Sequence, residues 1–134
     1  MSLKTRIKLH EGKRNRVYED SLGILTIGYG RNLEDVGLSD AECDYLFERD
    51  FGAAKRLAST LGVYDNLNLA RQGVLIEMSF QMGNRVSKFK KFLSAAWRHE
   101  WDLAAKEMLD SRWHEQTPKR AETLAEIFRS GIDE

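Results

Sequence analysis

The stretch from Leu38 to Gly62 constrains this chain more than any other. Ser39-Asp40-Ala41-Glu42 reads as a capping box with the apolar Leu38 in front of it. In such a box the serine hydroxyl and the glutamate carboxylate each satisfy an N–H that the first helical turn leaves free. Behind it Cys43, Leu46, Phe47, Phe51, Ala54, Leu57, Ala58 and Leu61 recur on one stripe at helical spacing. The pattern predicts a long amphipathic helix over about 39–61. A helix of that length suits a connector that carries the chain from one lobe to another.

The remaining elements fall on either side of it. Leu3, Ile7 and His10 predict a short helix over about 3–11, stopped by Gly12, so that Glu11 sits where the chain turns. Val17-Tyr18 and Ile24 to Ile27 are β-formers with Asp20-Ser21-Leu22-Gly23 as the turn between them. Gly28 and Gly30 then bracket Tyr29. No G-K-[ST] follows, which excludes a phosphate loop. Asn68 caps a helix over Leu69–Met82 that is apolar on most sides, as expected of the centre of a bundle, and Gly83 ends it. Further helices are expected at about 87–97 and 100–111, and from Pro118 to about 129. The class expected is α+β, mainly α: a helical bundle lobe with a small β-hairpin lobe. One domain spans residues 1–134, with the hairpin lobe at about 12–38 and the connecting helix at 39–61. The helical lobe takes 62–134 together with the N-terminal helix 3–11.

Charge narrows the function classes. Lys plus Arg and Asp plus Glu number 21 each, so the formal net charge is zero. No global field draws the protein to nucleic acid, and no nucleic-acid motif is present. The charges are segregated nonetheless. Lys4, Arg6, Lys8, Lys13, Arg14 and Arg16 precede an acidic stretch of Glu34, Asp35, Asp40, Glu42, Asp44, Glu48 and Asp50. Two solvated faces that attract each other is the plainer reading; a basic wall for an anionic polymer is the sharper one. The single cysteine, Cys43, excludes an internal disulfide, and His10, His99 and His114 lack metal-ligand spacing. No apolar run reaches membrane-spanning length or resembles an export signal. Synthesis in the cytoplasm is therefore expected, with no stable membrane insertion.

Two acids in the first thirty residues carry a possible chemistry. Cleaving a glycosidic bond needs a proton for the leaving oxygen and a second carboxylate that activates water or stabilises the sugar cation. Glu11 at a helix end and Asp20 in a turn could face each other across a cleft. Thr26, on the returning strand, could hold a water near Asp20. Tyr18, Tyr29 and the tryptophans could stack on sugar rings, although aromatics at helical spacing more often form core. Spacing alone leaves catalysis and a pair of solvated acids both open.

At these residues the chain resembles the phage-type lysozyme family, including its T-even members. His10-Glu11-Gly12, Tyr18-Glu19-Asp20 and Leu25-Thr26-Ile27-Gly28-Tyr29-Gly30 resemble its signature, with matching separations. Phe80-Gln81-Met82-Gly83 is similar to the end of its central helix. Ser111-Arg112-Trp113 and Gln116 to Ala121 are similar to its C-terminal signature. The resemblance implies Glu11 as general acid and Asp20 as general base on a water that Thr26 positions. It implies inversion, with the carboxyls roughly 6.5–9.5 Å apart. The substrate implied is the β-1,4 bond between N-acetylmuramic acid and N-acetylglucosamine in peptidoglycan, cut without metal or cofactor. A phage or prophage endolysin acting as a monomer is implied, with a separate holin-type protein for release. A lytic transglycosylase and a non-catalytic wall-binding module are the alternatives.

The resemblance also widens the site. Tyr18, Phe80, Gln81 and Arg112 become candidate substrate contacts. Arg120 matches the arginine that pairs with the catalytic glutamate, and Glu77, where the best-known members carry an amide, could draw off part of its charge. Arg31 stands where T-even members have a histidine paired to an aspartate on the long helix. Asp50 matches that aspartate, which predicts an Arg31–Asp50 ion pair. Between Leu33 and the capping box a strand and a short helix of those members are missing, so the small lobe should be trimmed.

Overall fold

A computed structural model describes all residues, Met1–Glu134. Contacts group them into two units, Met1–Leu46 and Phe47–Glu134. In the first unit α1 (Leu3–Glu11) precedes a three-stranded antiparallel sheet of β1 (Arg14–Glu19), β2 (Leu25–Gly28) and β3 (Arg31–Asn32), in that order. By its contacts α1 falls in this unit, whereas the sequence reading attaches it to the helical lobe. β1 pairs with β2 through Arg14↔Gly28, Tyr18↔Thr26 and Glu19↔Leu25, with an irregularity between Arg14 and Tyr18. β2 pairs with β3 through Thr26↔Asn32 and Ile27↔Arg31. The capping box forms as expected. Ser39 Oγ accepts from the Glu42 N–H at 3.2 Å, and Glu42 Oε1 accepts from the Ser39 N–H at 2.9 Å. It opens α2 (Asp40–Ser59), which starts in the first unit and ends in the second.

The second unit is helical. Asn68 caps α3 (Leu69–Met82) by accepting from the Arg71 N–H at 3.0 Å. Then follow α4 (Lys90–Trp97), α5 (Trp101–Leu109), α6 (Arg112–Gln116) and α7 (Pro118–Ser130). The helix expected from residue 87 starts at Lys90, because a 3-10 segment occupies Gly83–Lys88 and Phe89 leaves the helical conformation at ψ 60°. The core of this unit gathers Leu75 and Met78 of α3, Phe92 of α4, Met108 of α5, Trp113 of α6 and Phe128 of α7. The rings of Phe92 and Phe128 meet edge to face at 4.9 Å. Arg71 ties the ends of two helices together. Its guanidinium lies 3.7 Å from the centre of the Trp101 ring and donates to the Phe128 carbonyl at 2.6 Å and the Arg129 carbonyl at 3.1 Å. These are carbonyls that the last turn of α7 would otherwise leave free. The architecture is the mainly helical α+β fold expected. No helix is long and apolar enough to cross a membrane.

Candidate active site

Glu11, Asp20 and Thr26 all belong to the first unit. Glu11 is the last residue of α1, whose end is closed by the Gly12 N–H donating to the Lys8 carbonyl at 2.9 Å. Its carboxyl group rests against Gly30, in the turn between β2 and β3. A Cβ at Gly30 would collide with Glu11 Oε2 and stand 3.0 Å from its Cδ. Gly30 also has φ +69°, a conformation that side chains disfavour. Position 30 therefore excludes a side chain on two independent grounds.

Asp20 is fixed by its own turn. Its Oδ1 accepts from the Leu22 N–H at 2.8 Å and the Ile24 N–H at 2.9 Å, as short polar side chains do in tight turns. Its N–H donates to the Ile24 carbonyl at 2.9 Å. Oδ2 accepts no protein hydrogen bond. Thr26 is 4% exposed, and its hydroxyl donates to the same Ile24 carbonyl at 2.8 Å. One residue, Ile24, thus anchors both side chains. The Thr26 proton is committed to that carbonyl, which leaves Oγ1 only lone pairs to offer another group. Tyr18, directly across the ladder from Thr26, carries the Arg14 guanidinium 4.5 Å from its ring centre.

Arg31 does not make the pair expected with Asp50. Its Nε and Nη2 donate to the Gly37 carbonyl at 3.0 and 2.8 Å, and Nη2 donates to Glu42 at 3.0 Å. The physical reason is local. The short connection from β3 to α2 brings the Gly37 carbonyl and the first-turn Glu42 to the guanidinium. Asp50 lies eight residues further along α2, about 12 Å by helical rise. The Ser39 N–H and hydroxyl, with the Arg31 charge, hold the Glu42 carboxyl below its ordinary pKa.

The other expected site residues belong to the second unit. Arg120 Nε donates to Glu77 at 2.7 Å, across α7 and α3. Gln81 Oε1 accepts from the indole N–H of Trp113 at 2.9 Å. Phe80 is partly exposed, with its ring 5.6 Å from that of Phe47. Gln81 and Arg112 line an open groove of about 790 Å³, together with Trp113, Phe89, Lys90 and Glu107. Sequence reasoning missed the Gly30 contact and Glu42's second role. The only available signals were the Gly-Tyr-Gly run and a capping glutamate close to an arginine. No group of three or more His, Cys, Asp or Glu gathers as metal ligands.

A family model described as phage lysozyme matches residues 8–128. The chain therefore belongs to the phage lysozyme family, and it is a glycoside hydrolase of the lysozyme type. It is 34% identical to probable T4-type lysozyme 2 of Dictyostelium discoideum, over 97% of this chain and 95% of that protein. Probable T4-type lysozyme 1 of the same organism matches at the same identity and coverage. The pre-baseplate central spike protein Gp5 of Enterobacteria phage T4 is 32% identical over 98% of this chain but only 28% of its own length. These alignments run over 161 positions against the 134 residues of the chain, so the relatives carry residues that it lacks.

Proposed function

We propose that this chain hydrolyses the β-1,4 bond between N-acetylmuramic acid and N-acetylglucosamine in peptidoglycan, with inversion. Glu11 is the general acid: its carboxyl proton goes to the glycosidic oxygen as the C1–O bond breaks. A water attacks C1 from the opposite face and gives its proton to Asp20. The observation that carries this reading is the shared anchor at Ile24. Asp20 is held through Oδ1, which leaves Oδ2 to take the proton of a water. Thr26, its own proton committed, accepts the water's other hydrogen, and the water's lone pair is left to face the sugar. No cofactor enters this scheme.

In the second unit Gln81 and Arg112, with the groove that they line, and Phe80 are assigned to substrate contact; in the first unit Tyr18 is assigned to it as well. The Glu77–Arg120 pair is assigned to tuning that arginine's charge. We propose further that the enzyme is an endolysin, works as a monomer, and relies on a separate holin-type protein to reach the wall.

The test is the clearing of permeabilised Gram-negative cells by the wild type and by Glu11→Gln. Loss of the acid should slow clearing by about 10³-fold. Equal clearing by both would remove Glu11 from the reaction.

A further inference from the structure

The segregated charges do not neutralise one another through contacts. Lys4, Arg6, Lys8, Lys13, Arg14 and Arg16 are all exposed, and none forms an ion pair. The one ion pair of the acidic stretch, Glu42 with Arg31, uses a cation outside this cluster. The plainer sequence reading, two faces that attract each other, therefore has no ion pair behind it. The chain instead keeps six unpaired cations within thirteen residues of a protein whose net charge is zero. Such crowding carries self-repulsion and creates a strong local field.

Along the chain the cluster brackets the proposed acid. Lys8 lies one helical turn before Glu11, and Lys13 and Arg14 follow it after Gly12. Arg14 is paired in the ladder with Gly28, and Arg16 is two residues further along β1. Two of the cations lie over hairpin aromatics: Lys8 Nζ is 5.2 Å from the ring centre of Tyr29, and Arg14 is 4.5 Å from that of Tyr18. Those contacts keep the cations close to the hairpin while their charge remains exposed.

We propose that this face binds the carboxylates of the peptide-bearing glycan strand that is being cut. The inference rests on the proposed function. It chooses carboxylates of that strand, rather than phosphates of a separate polymer, because the cations flank the group assigned to bond cleavage.

The test is cosedimentation with purified peptidoglycan sacculi. It uses the full chain carrying Glu11→Gln, which leaves the sacculi intact and measures binding apart from catalysis. Adding Lys4→Gln, Lys13→Gln and Arg16→Gln should weaken binding about tenfold at low salt, and the difference should vanish near 0.5 M salt. The same net change placed elsewhere, by Lys55→Gln, Arg56→Gln and Lys106→Gln, should leave binding within about twofold. Converting the carboxylates of the sacculi to amides should abolish the advantage of the unsubstituted cluster. Three results would overturn the proposal. One is binding that ignores the cluster, and another is binding that falls equally with the control set. The third is binding that survives amidation but is lost when wall phosphate is stripped with hydrofluoric acid. Clearing by Glu11→Gln would overturn the catalytic assignment instead, and is read independently of these outcomes.

Discussion

The two units hold their shapes by different means. The second buries large apolar side chains, among them Leu75, Met78, Phe92, Met108 and Phe128, in one connected core. In the first, Thr26 is the only fully buried residue. Its order comes from polar contacts: the Asp20 turn, the Ile24 anchor, and the Arg31 bridge to Gly37 and Glu42. Apolar burial is strong and tolerant of direction, whereas hydrogen bonds are individually weak and fix geometry. The unit that carries the proposed chemistry thus relies on the means that aims side chains, and the other unit on the means that supplies stability.

Substitutions can break that contrast. The largest expected effect is on the second unit. Phe128→Ala removes a fully buried ring that touches Phe92 and Trp101, and should cost about 3–5 kcal/mol in denaturant unfolding. In the first unit Gly30→Ala should act on rate more than on stability. The new methyl meets the Glu11 carboxyl, so activity should fall by about 10²-fold. The backbone strain should cost only about 1–2 kcal/mol. Clearing rate and unfolding midpoint, measured on the same sample, separate the two effects.

A smaller effect sharpens the contrast from the other side. Ser79 on α3 is 3% exposed, and its hydroxyl has no hydrogen-bond partner. A buried polar group without a partner is destabilising, so Ser79→Ala should raise stability by about 1 kcal/mol without touching activity. An unchanged or lowered melting temperature would show that this hydroxyl is satisfied in solution.

The smallest effect is a pH dependence. Glu42 has its pKa lowered in the folded state, so folding favours its ionised form. That contribution is present above the ordinary glutamate value, about 4.3, and is lost as pH falls through the lowered folded value. Wild type and Glu42→Gln should therefore differ in unfolding midpoint at neutral pH and converge in acid. A gap that persists in acid would mean that Glu42 acts through packing and not through its charge.

How much of this was legible in the sequence follows the same division. α1, α2, α3 and α7 were readable because periodic apolar residues and caps such as Ser39, Asn68 and Pro118 mark them locally. β3 was not, since Arg31-Asn32 is too short to show alternation and forms only by pairing with β2. β1 starts at Arg14, earlier than its β-formers Val17 and Tyr18 suggest, because the ladder recruits polar residues. The five residues of α6 were missed for want of a full apolar period. At the site, the residues of the triplet were visible, and Asp20 sits in the turn that its sequence predicts. The partners were not. Glu11 meets Gly30 only once the hairpin has formed, and Arg31 takes Glu42 because the connection to α2 is short. Contacts set by tertiary geometry leave little trace in local sequence.

The central claim is that Asp20 and Thr26, both anchored on Ile24, direct a water onto the sugar. The most direct test is proton NMR of the freshly released reducing end, recorded before mutarotation. The account predicts the α-anomer, the product of water attacking the face opposite the broken β bond. Release of the β-anomer, or of a 1,6-anhydro sugar formed without water, would contradict it.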